Sequence, residues 1–220
     1  MKGQLSVDLR ADLELYELPA EWSWCDLEFL FDENDSFCYG VVQPGADVVD
    51  EQKLIRVQDL ENGKVLTEQL RGISNKVDSK FKRSRVKVNN LLVTVVGTIG
   101  RTAVVTADEQ GFNIARAVAK IPIADFNVRY VKLFIDSSFG QSWLNDDARE
   151  VARKTLNLDQ LRTLPIPTPH PTEQNEIVRR VESLFGMADR IEASYKNLQK
   201  KIDQLPQAIL SKAFRGDLVK

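Results

Sequence analysis

The sequence of 220 residues has two cysteines and one histidine. Two cysteines are too few for a disulfide framework, and a single histidine argues against a zinc site. No apolar run approaches the roughly 20 residues of a membrane-spanning helix, and the first residues lack a continuous signal-peptide core. We therefore expect a cytoplasmic protein with no membrane association.

The sequence also lacks the common catalytic motifs. It contains no G-x-x-x-x-G-K-[ST] phosphate loop, no G-x-G-x-x-G and no G-x-S-x-G. Glu51 and Lys53, with Asp47 or Asp50, faintly resemble the carboxylate–lysine set of a nuclease, a short pattern that chance also produces. His170 lies among prolines, which favours a surface or packing role. The sequence therefore predicts no catalytic residue and no metal ligand.

Negative charge is concentrated in one part of the chain, although the formal net charge is only -2. Residues 1–70 hold 5 Lys and Arg against 16 Asp and Glu, whereas residues 71–116 hold 9 against 3. Seven cations lie within 17 residues and are opposed only by Asp78: Arg71, Lys76, Lys80, Lys82, Arg83, Arg85 and Lys87. We call residues 71–87 the basic segment. Such cations gain from phosphate contact through counterion release, but a solvated basic loop is an equal alternative.

Four further residues are candidates for nucleic-acid contact. Thr98 and Arg101 belong to a turn with glycines at 97 and 100, which would let the backbone approach a ligand closely. A plain strand turn is the simpler alternative. Asn113 and Arg116 are groove contacts or ordinary loop residues. Trp22 and Trp24 have the aromatic surface to stack on bases, but tryptophans in apolar surroundings are usually core residues.

The hydrophobic pattern predicts a mixed α and β body. β-branched runs predict strands at 53–57, 86–96, 101–106 and 117–121, the middle two joined as a hairpin. Residues 126–144 have the spacing of an amphipathic helix, and a short helix is predicted within the first 17 residues. The regular β-α-β alternation of a doubly wound fold is absent.

A third region begins with a proline at every second position from Pro165 to Pro171, which predicts extended, polyproline-like chain. A helix should start at Thr172, or alternatively with Pro171 as its first residue. Apolar residues then follow at alternating spacings of four and three: Ile177, Val181, Leu184, Ala188, Ile191, Tyr195, Leu198, Ile202, Leu205 and Ile209. This heptad seam predicts a coiled coil rather than a single helix on its own domain. Pro206 should bend or end the helix.

Five sequence pieces, in this order, resemble the DNA-specificity subunit of type I restriction–modification systems. They are LPAEWSW at 18–24, LIRVQDL with Gly63 at 54–63, NLLVTVVGTIGR at 90–101, LPIPTP with Glu173, Gln174, Ile177 and Val178 at 164–178, and AILSKAFRGDLV at 208–219. The usual chain of that family has two target-recognition domains and two long helices. This sequence has one of each, so it resembles a half-length subunit or a fragment.

The resemblance implies an α+β fold in which a globular target-recognition domain precedes a long C-terminal coiled-coil helix. Residues 1–17 would form a helical segment, 18–165 the DNA-binding domain, and 166–220 the proline-rich junction and helix. It also implies a non-catalytic chain that reads one half of a bipartite site on double-stranded DNA. Adenine methyltransferase and restriction/translocase subunits would be its partners and would carry S-adenosylmethionine, ATP and Mg²⁺. A half-length chain would pair with a second copy through antiparallel helices.

Two other functions are compatible with the residues alone. The chain could be a coiled-coil dimer whose head binds protein, with the basic segment meeting the acidic residues 1–70 of a neighbour. A metal-dependent nuclease built on Glu51 and Lys53 is the third candidate.

Overall fold

The computed structural model describes residues 17–49, 51–146 and 155–218. The helix expected within the first 17 residues therefore lies outside the described residues. The strands are β1 (Ser23–Asp26), β2 (Cys38–Tyr39), β3 (Gln52–Ile55), β4 (Leu60–Glu61), β5 (Lys64–Val65), β6 (Arg71–Ile73), β7 (Asn90–Thr94), β8 (Thr102–Val104), β9 (Asn113–Ile114), β10 (Val118–Pro122) and β11 (Pro165–Thr168). The helices are α1 (Asn75–Asp78), α2 (Val128–Asp136), α3 (Ser138–Asp146), α4 (Leu158–Arg162) and α5 (Pro171–Phe214).

Most of the described strands belong to two sheets. An antiparallel sheet has the strand order β2-β10-β7-β8, and a second sheet has the order β6-β3-β9. In the second sheet β3 is antiparallel to β6 and parallel to β9. The pairs β1-β11 and β4-β5 form two further ribbons. The mixed α and β body predicted from the sequence is confirmed.

Two apolar clusters among the described residues meet along β3. Because successive side chains of a strand point to opposite faces, Leu54 and Ile55 enter different clusters. Ile55 packs with Leu92 of β7 and Val118 of β10, which fixes one sheet against the other. Leu54 packs with Ile73, the last residue of β6. Since β6 leads directly into α1, this packing anchors the start of the basic segment.

The predicted hairpin is confirmed, whereas the predicted single helix over 126–144 is wrong in one respect. Strands β7 and β8 are antiparallel on either side of the glycine-containing turn, with Leu92 opposite Ala103. Helices α2 and α3 are separated at Ser137, whose backbone is extended. Its hydroxyl donates to the carbonyl of Phe134 and accepts from the N–H of Gly140. One serine therefore caps the end of α2 and the beginning of α3.

The described residues fall into two compact units that divide between Asn175 and Glu176. The proline-rich junction is extended, as predicted, but Pro165–Thr168 forms β11 and pairs with β1. This pairing keeps residues 165–175 in the first unit, which we call the head. Residues from Glu176 onward are the helical unit.

Helix α5 starts with Pro171, the second of the two predicted starts. Pro171 lacks an N–H, which the first turn of a helix does not use. Of the two effects predicted for Pro206, the end of the helix is wrong, because α5 continues past Pro206 to Phe214. The eight residues after the proline include two alanines, a leucine, a lysine and a glutamine, which are strong helix formers. No helix in the described part of the chain has the length and hydrophobicity needed to cross a membrane.

Candidate functional site

The basic segment folds as three short elements in succession. Strand β6 is followed by α1 and by a turn of 3-10 helix over Ser79–Ser84. Ser74 starts α1, because its hydroxyl oxygen accepts the N–H of Val77. Short helical turns keep consecutive side chains pointing in different directions, so the segment presents some cations to solvent and turns other polar groups inward.

Four of the predicted cations are free to meet a ligand. Lys76, Lys80, Lys82 and Arg83 are all exposed. Among the described residues, no carboxylate lies within ion-pair distance of any of them. The segment therefore has positive charge that is not paired with any carboxylate in the described part of the head.

The inward-facing groups form a closed polar network. The guanidinium of Arg85 pairs with the buried carboxylate of Asp78, its Nε lying 3.2 Å from Oδ1. The Asn113 amide donates to Asp78 Oδ1 over 3.0 Å and to the Phe81 carbonyl over 3.2 Å. The Ser84 hydroxyl lies 2.6 Å from Asn113 Oδ1. Asn113 is fully buried, so its predicted role as a groove contact is wrong. Its amide instead fixes the basic segment through hydrogen bonds on the buried side of that segment.

A second buried group, Lys120 of β10, holds the same segment at its other end. Its ammonium donates to Asp35 Oδ1 (2.8 Å), to the carbonyl of Arg83 (2.8 Å) and to the carbonyl of Arg85 (3.1 Å). Three donors thus have three acceptors, which is what a buried lysine requires. The side chains of Lys120 and Asp35 are only 1% and 6% exposed. Lys120 is the supporting residue of the candidate site that the sequence analysis missed, and the sequence signal for it was a lone charge inside an otherwise apolar strand.

Four of the predicted cations line one cleft. Lys82, Arg83, Arg85 and Lys87 contribute to a cleft of about 400 Å³, and the Lys120–Asp35 pair lies in its lining. Uncharged polar residues complete the polar part of the wall: Asn34, Ser36 and Gln110. The cleft therefore combines a cationic wall with neutral hydrogen-bonding groups and a buried ion pair.

The remaining candidates are placed elsewhere in the head. Arg71 binds the carbonyl of Gly45 and is half-buried. Thr98 is exposed in the turn of the β7–β8 hairpin, while Arg101 at the end of that turn donates to the Leu60 carbonyl. Arg116 is exposed. These residues do not belong to the lining of the cleft.

The nuclease-like residues have other bonding partners. Asp47 accepts the N–H of Gly72, and Glu51 accepts the N–H of Asn75. Asp50 lies outside the described residues. Over 17–49, 51–146 and 155–218, no group of three or more His, Cys, Asp and Glu side chains is placed to hold a metal ion.

Cys25 is buried, and burial together with the charge of Asp26 raises the pKa of its thiol to about 12.

The two buried carboxylates of the site make its stability depend on pH. Burial would raise the pKa of Asp35, but its hydrogen bonds from Lys120, Ser36 and Asn90 outweigh burial and lower the pKa below 3.8. Burial would likewise raise the pKa of Asp78, but hydrogen bonds from Arg85 and Asn113 lower it below 3.8.

Because both pKa values are lower in the folded state, these carboxylates stabilise the head above the ordinary carboxyl pKa. That stabilisation is lost as the pH falls through the folded values. We expect the urea midpoint of the head to fall as the pH is lowered below the ordinary aspartate pKa of about 3.9, and to fall less steeply in Asp35→Asn and Asp78→Asn. Equal acid slopes in the wild type and both variants would contradict this assignment.

The helical unit exposes its apolar seam. Ile191, Tyr195 and Ile202 are 71%, 64% and 62% exposed, and exposed apolar residues that follow one another along one face are typical of an interaction surface. The other predicted seam residues of the unit are placed as follows: Leu184, Ala188, Leu198, Leu205 and Ile209 are exposed, and Ile177 and Val181 are half-buried. The seam runs along a helix that is otherwise charged and polar, which is the pattern of a coiled-coil strand.

Comparison with known proteins agrees with this architecture. Residues 52–200 match the family model described as type I restriction modification DNA specificity domain. The chain is 44% identical over 214 residues to the type I restriction enzyme EcoBI specificity subunit of Escherichia coli, covering 95% of this chain and 45% of that subunit. It is 37% identical over 90 residues to the EcoKI specificity subunit of E. coli K12, covering 40% of this chain and 19% of that subunit.

Two solved structures have a fold similar to that of this chain. The HsdS subunit from Thermoanaerobacter tengcongensis superimposes with a TM-score of 0.66 at 19% identity, over 94% of this chain and 48% of that one. A chain from a structure of complex assembly in the type I R-M system gives a TM-score of 0.66 at 18% identity, over 92% and 48%. The chain spans about half the length of the curated relative that it matches over almost its whole length. The family match covers most of the sequence, and the chain belongs to the family of type I restriction–modification DNA-specificity domains.

Proposed function

We propose that this chain is a DNA-specificity module that binds double-stranded DNA through the basic segment of its head. The observation that carries the proposal is the set of four exposed cations, Lys76, Lys80, Lys82 and Arg83, without carboxylate partners in the described part of the chain. Phosphate contacts of this kind supply affinity and set the register of a protein on DNA.

The fixed backbone beneath these cations supports the same function. Lys120 bonds to the carbonyls of Arg83 and Arg85, and Asn113 bonds to that of Phe81. The segment is therefore ordered before DNA arrives, which reduces the entropy lost on binding. Membership of the family and the names of the relatives as specificity subunits point to the same activity.

The helical unit gives the half-length chain a way to read a two-part site. We propose that α5 pairs with a second copy in antiparallel orientation, so that two heads are held apart by a stiff helix pair. Each head would read one half-site, and the two-fold symmetry of the dimer would be mirrored in an interrupted palindrome. The same helices would dock adenine methyltransferase and restriction/translocase subunits. In this proposal the chain is non-catalytic, and its partner subunits bind S-adenosylmethionine, ATP and Mg²⁺.

Replacing two cations of the cleft tests the DNA-binding face. We expect Lys82→Ala/Arg83→Ala to bind duplex DNA roughly tenfold more weakly, because two phosphate contacts are lost. The slope of log K against log salt should become shallower by about 2 units, which a salt titration of binding by fluorescence anisotropy measures.

Lys200→Ala/Lys201→Ala is the matched control, because it removes the same charge from two exposed residues of the helical unit. We expect this control to keep the wild-type slope. An unchanged slope in the cleft variant, or equal losses in both variants, would show that the basic segment is not the DNA face. Salt-dependent self-association without DNA binding would instead favour a head that binds protein.

A further inference from the structure

Two neutral amide side chains line the cleft beside the cations. Asn34 and Gln110 are both exposed, and both contribute to the wall that also contains Lys82, Arg83 and Lys87. Their backbone N–H groups donate to Asp32 and Ala107. In the described residues neither side-chain amide has a hydrogen-bond partner, unlike the amides of Asn90 and Asn113 in the same region. These two amides are therefore available to a ligand.

The surroundings of the two amides are held in place. Asn34 directly precedes Asp35, whose carboxylate is bound to Lys120 over 2.8 Å. Gln110 directly precedes Gly111, whose N–H donates to the Val86 carbonyl over 2.8 Å and whose carbonyl accepts the amide of Gln52. Both amides thus sit next to residues fixed by hydrogen bonds to other elements. A side chain on such a support can discriminate between ligands, since its backbone does not move to accommodate a poor fit.

The chemistry of the cleft divides into two parts. Lysine and arginine contact phosphates, which carry no sequence information, whereas asparagine and glutamine read base edges. An amide has an NH₂ donor group beside a carbonyl acceptor, and this pair matches the N7 acceptor and N6 donor of adenine in the major groove. The lining of the cleft brings both kinds of side chain together on one surface.

We propose that Asn34 and Gln110 are specificity-determining residues that read adenine edges in the DNA major groove, next to the phosphates bound by Lys82, Arg83 and Lys87. This inference rests on the proposed DNA-binding function. It assigns affinity to the cations of the cleft and sequence discrimination to its amides.

Selection from a duplex pool with a randomised central region tests the assignment. The full chain is allowed to bind the pool, and the bound duplexes are sequenced. We expect the wild type to enrich a motif that contains adenine, and Asn34→Ala/Gln110→Ala to lose about tenfold preference at one or two adenine positions of that motif. The other positions and the salt dependence of binding should stay as in the wild type, because the phosphate contacts remain.

A conservative variant gives the assignment a second, positive readout. Gln110→Glu converts the amide into an acceptor-only group, which matches the N4 donor of cytosine. We expect the preference at one position to change from adenine to cytosine, whereas Asn34→Asp should do the same at the other position. Gln58→Ala is the control, since Gln58 is an exposed amide that does not line the cleft. It should keep the wild-type motif.

The outcomes separate this inference from the function on which it rests. If the wild type enriches a motif and the amide variants enrich the same one, the assignment of Asn34 and Gln110 is wrong and the DNA-binding function stands. A uniform loss of affinity with a shallower salt slope would place both residues among the phosphate contacts and would also overturn the assignment. If the wild type enriches nothing and binds no duplex, the proposed function fails and the inference fails with it.

Discussion

Replacing Lys120 by methionine is expected to destabilise the head by about 3–5 kcal/mol, because it leaves the buried carboxylate of Asp35 without its main partner. Methionine fills a similar volume, so the loss comes from charge and hydrogen bonding rather than from a cavity. The carbonyls of Arg83 and Arg85 lose their donor at the same time. Two effects therefore add: the Asp35 carboxylate keeps only the exposed Lys87 ammonium as an ion-pair partner, and two part-buried carbonyls lose a strong donor.

Urea unfolding monitored by tryptophan fluorescence measures this loss in the head alone. All three tryptophans, Trp22, Trp24 and Trp143, precede the division between Asn175 and Glu176. Unfolding of the helical unit therefore leaves no direct trace in the signal. The free energy of unfolding from the linear extrapolation gives the comparison with the wild type.

Lys87→Met is the matched control, because Lys87 pairs with the same carboxylate from the surface. Its ammonium lies 3.5 Å from Asp35 Oδ1, and its side chain is 61% exposed. An exposed partner of this kind contributes at most about 1 kcal/mol. Similar small losses in Lys120→Met and Lys87→Met would show that the buried pair does not hold the basic segment. A large loss in the first alone supports the role given to Lys120.

Local patterns allowed several elements to be predicted. The β7–β8 hairpin was predictable because two β-branched runs flank a turn with two glycines, and both signals lie within a few residues. The start of α5 followed from proline chemistry at Pro171, and its course as far as Leu205 followed from the unbroken heptad spacing, but its continuation past Pro206 did not. These features are encoded by neighbours in sequence.

The support of the candidate site was not predictable in the same way. The bond from Asn113 to Asp78 joins residues 35 apart, and the pair Lys120–Asp35 joins residues 85 apart. The sequence showed a basic stretch interleaved with polar residues, but burial separates them: Ser84 and Asn90 turn inward while Lys82 and Arg83 turn outward. Only the three-dimensional arrangement distinguishes a group that contacts a ligand from one that supports it.

The dimer proposed for the helical unit should dissociate when a charge is placed in its seam. Leu198 is 58% exposed within one chain and lies in the middle of the apolar series. In a two-fold dimer one substitution alters both copies, and each buried leucine contributes about 1.5–3 kcal/mol. We expect Leu198→Glu to weaken dimerisation by at least about a hundredfold, since 1.4 kcal/mol corresponds to a factor of ten. Sedimentation equilibrium at micromolar concentration measures the shift from a dimer of twice 24.9 kDa to a monomer of 24.9 kDa.

Asn197→Glu places the same charge on the neighbouring residue outside the seam, and we expect it to remain dimeric. DNA selection links the oligomeric state to function: the wild type should enrich two inverted half-sites, and Leu198→Glu a single one, because each head keeps its own contacts. A wild-type chain that stays monomeric, both alone and with a methyltransferase subunit, would contradict the dimer. Two half-sites in the Leu198→Glu motif would show that something other than this seam holds the heads together.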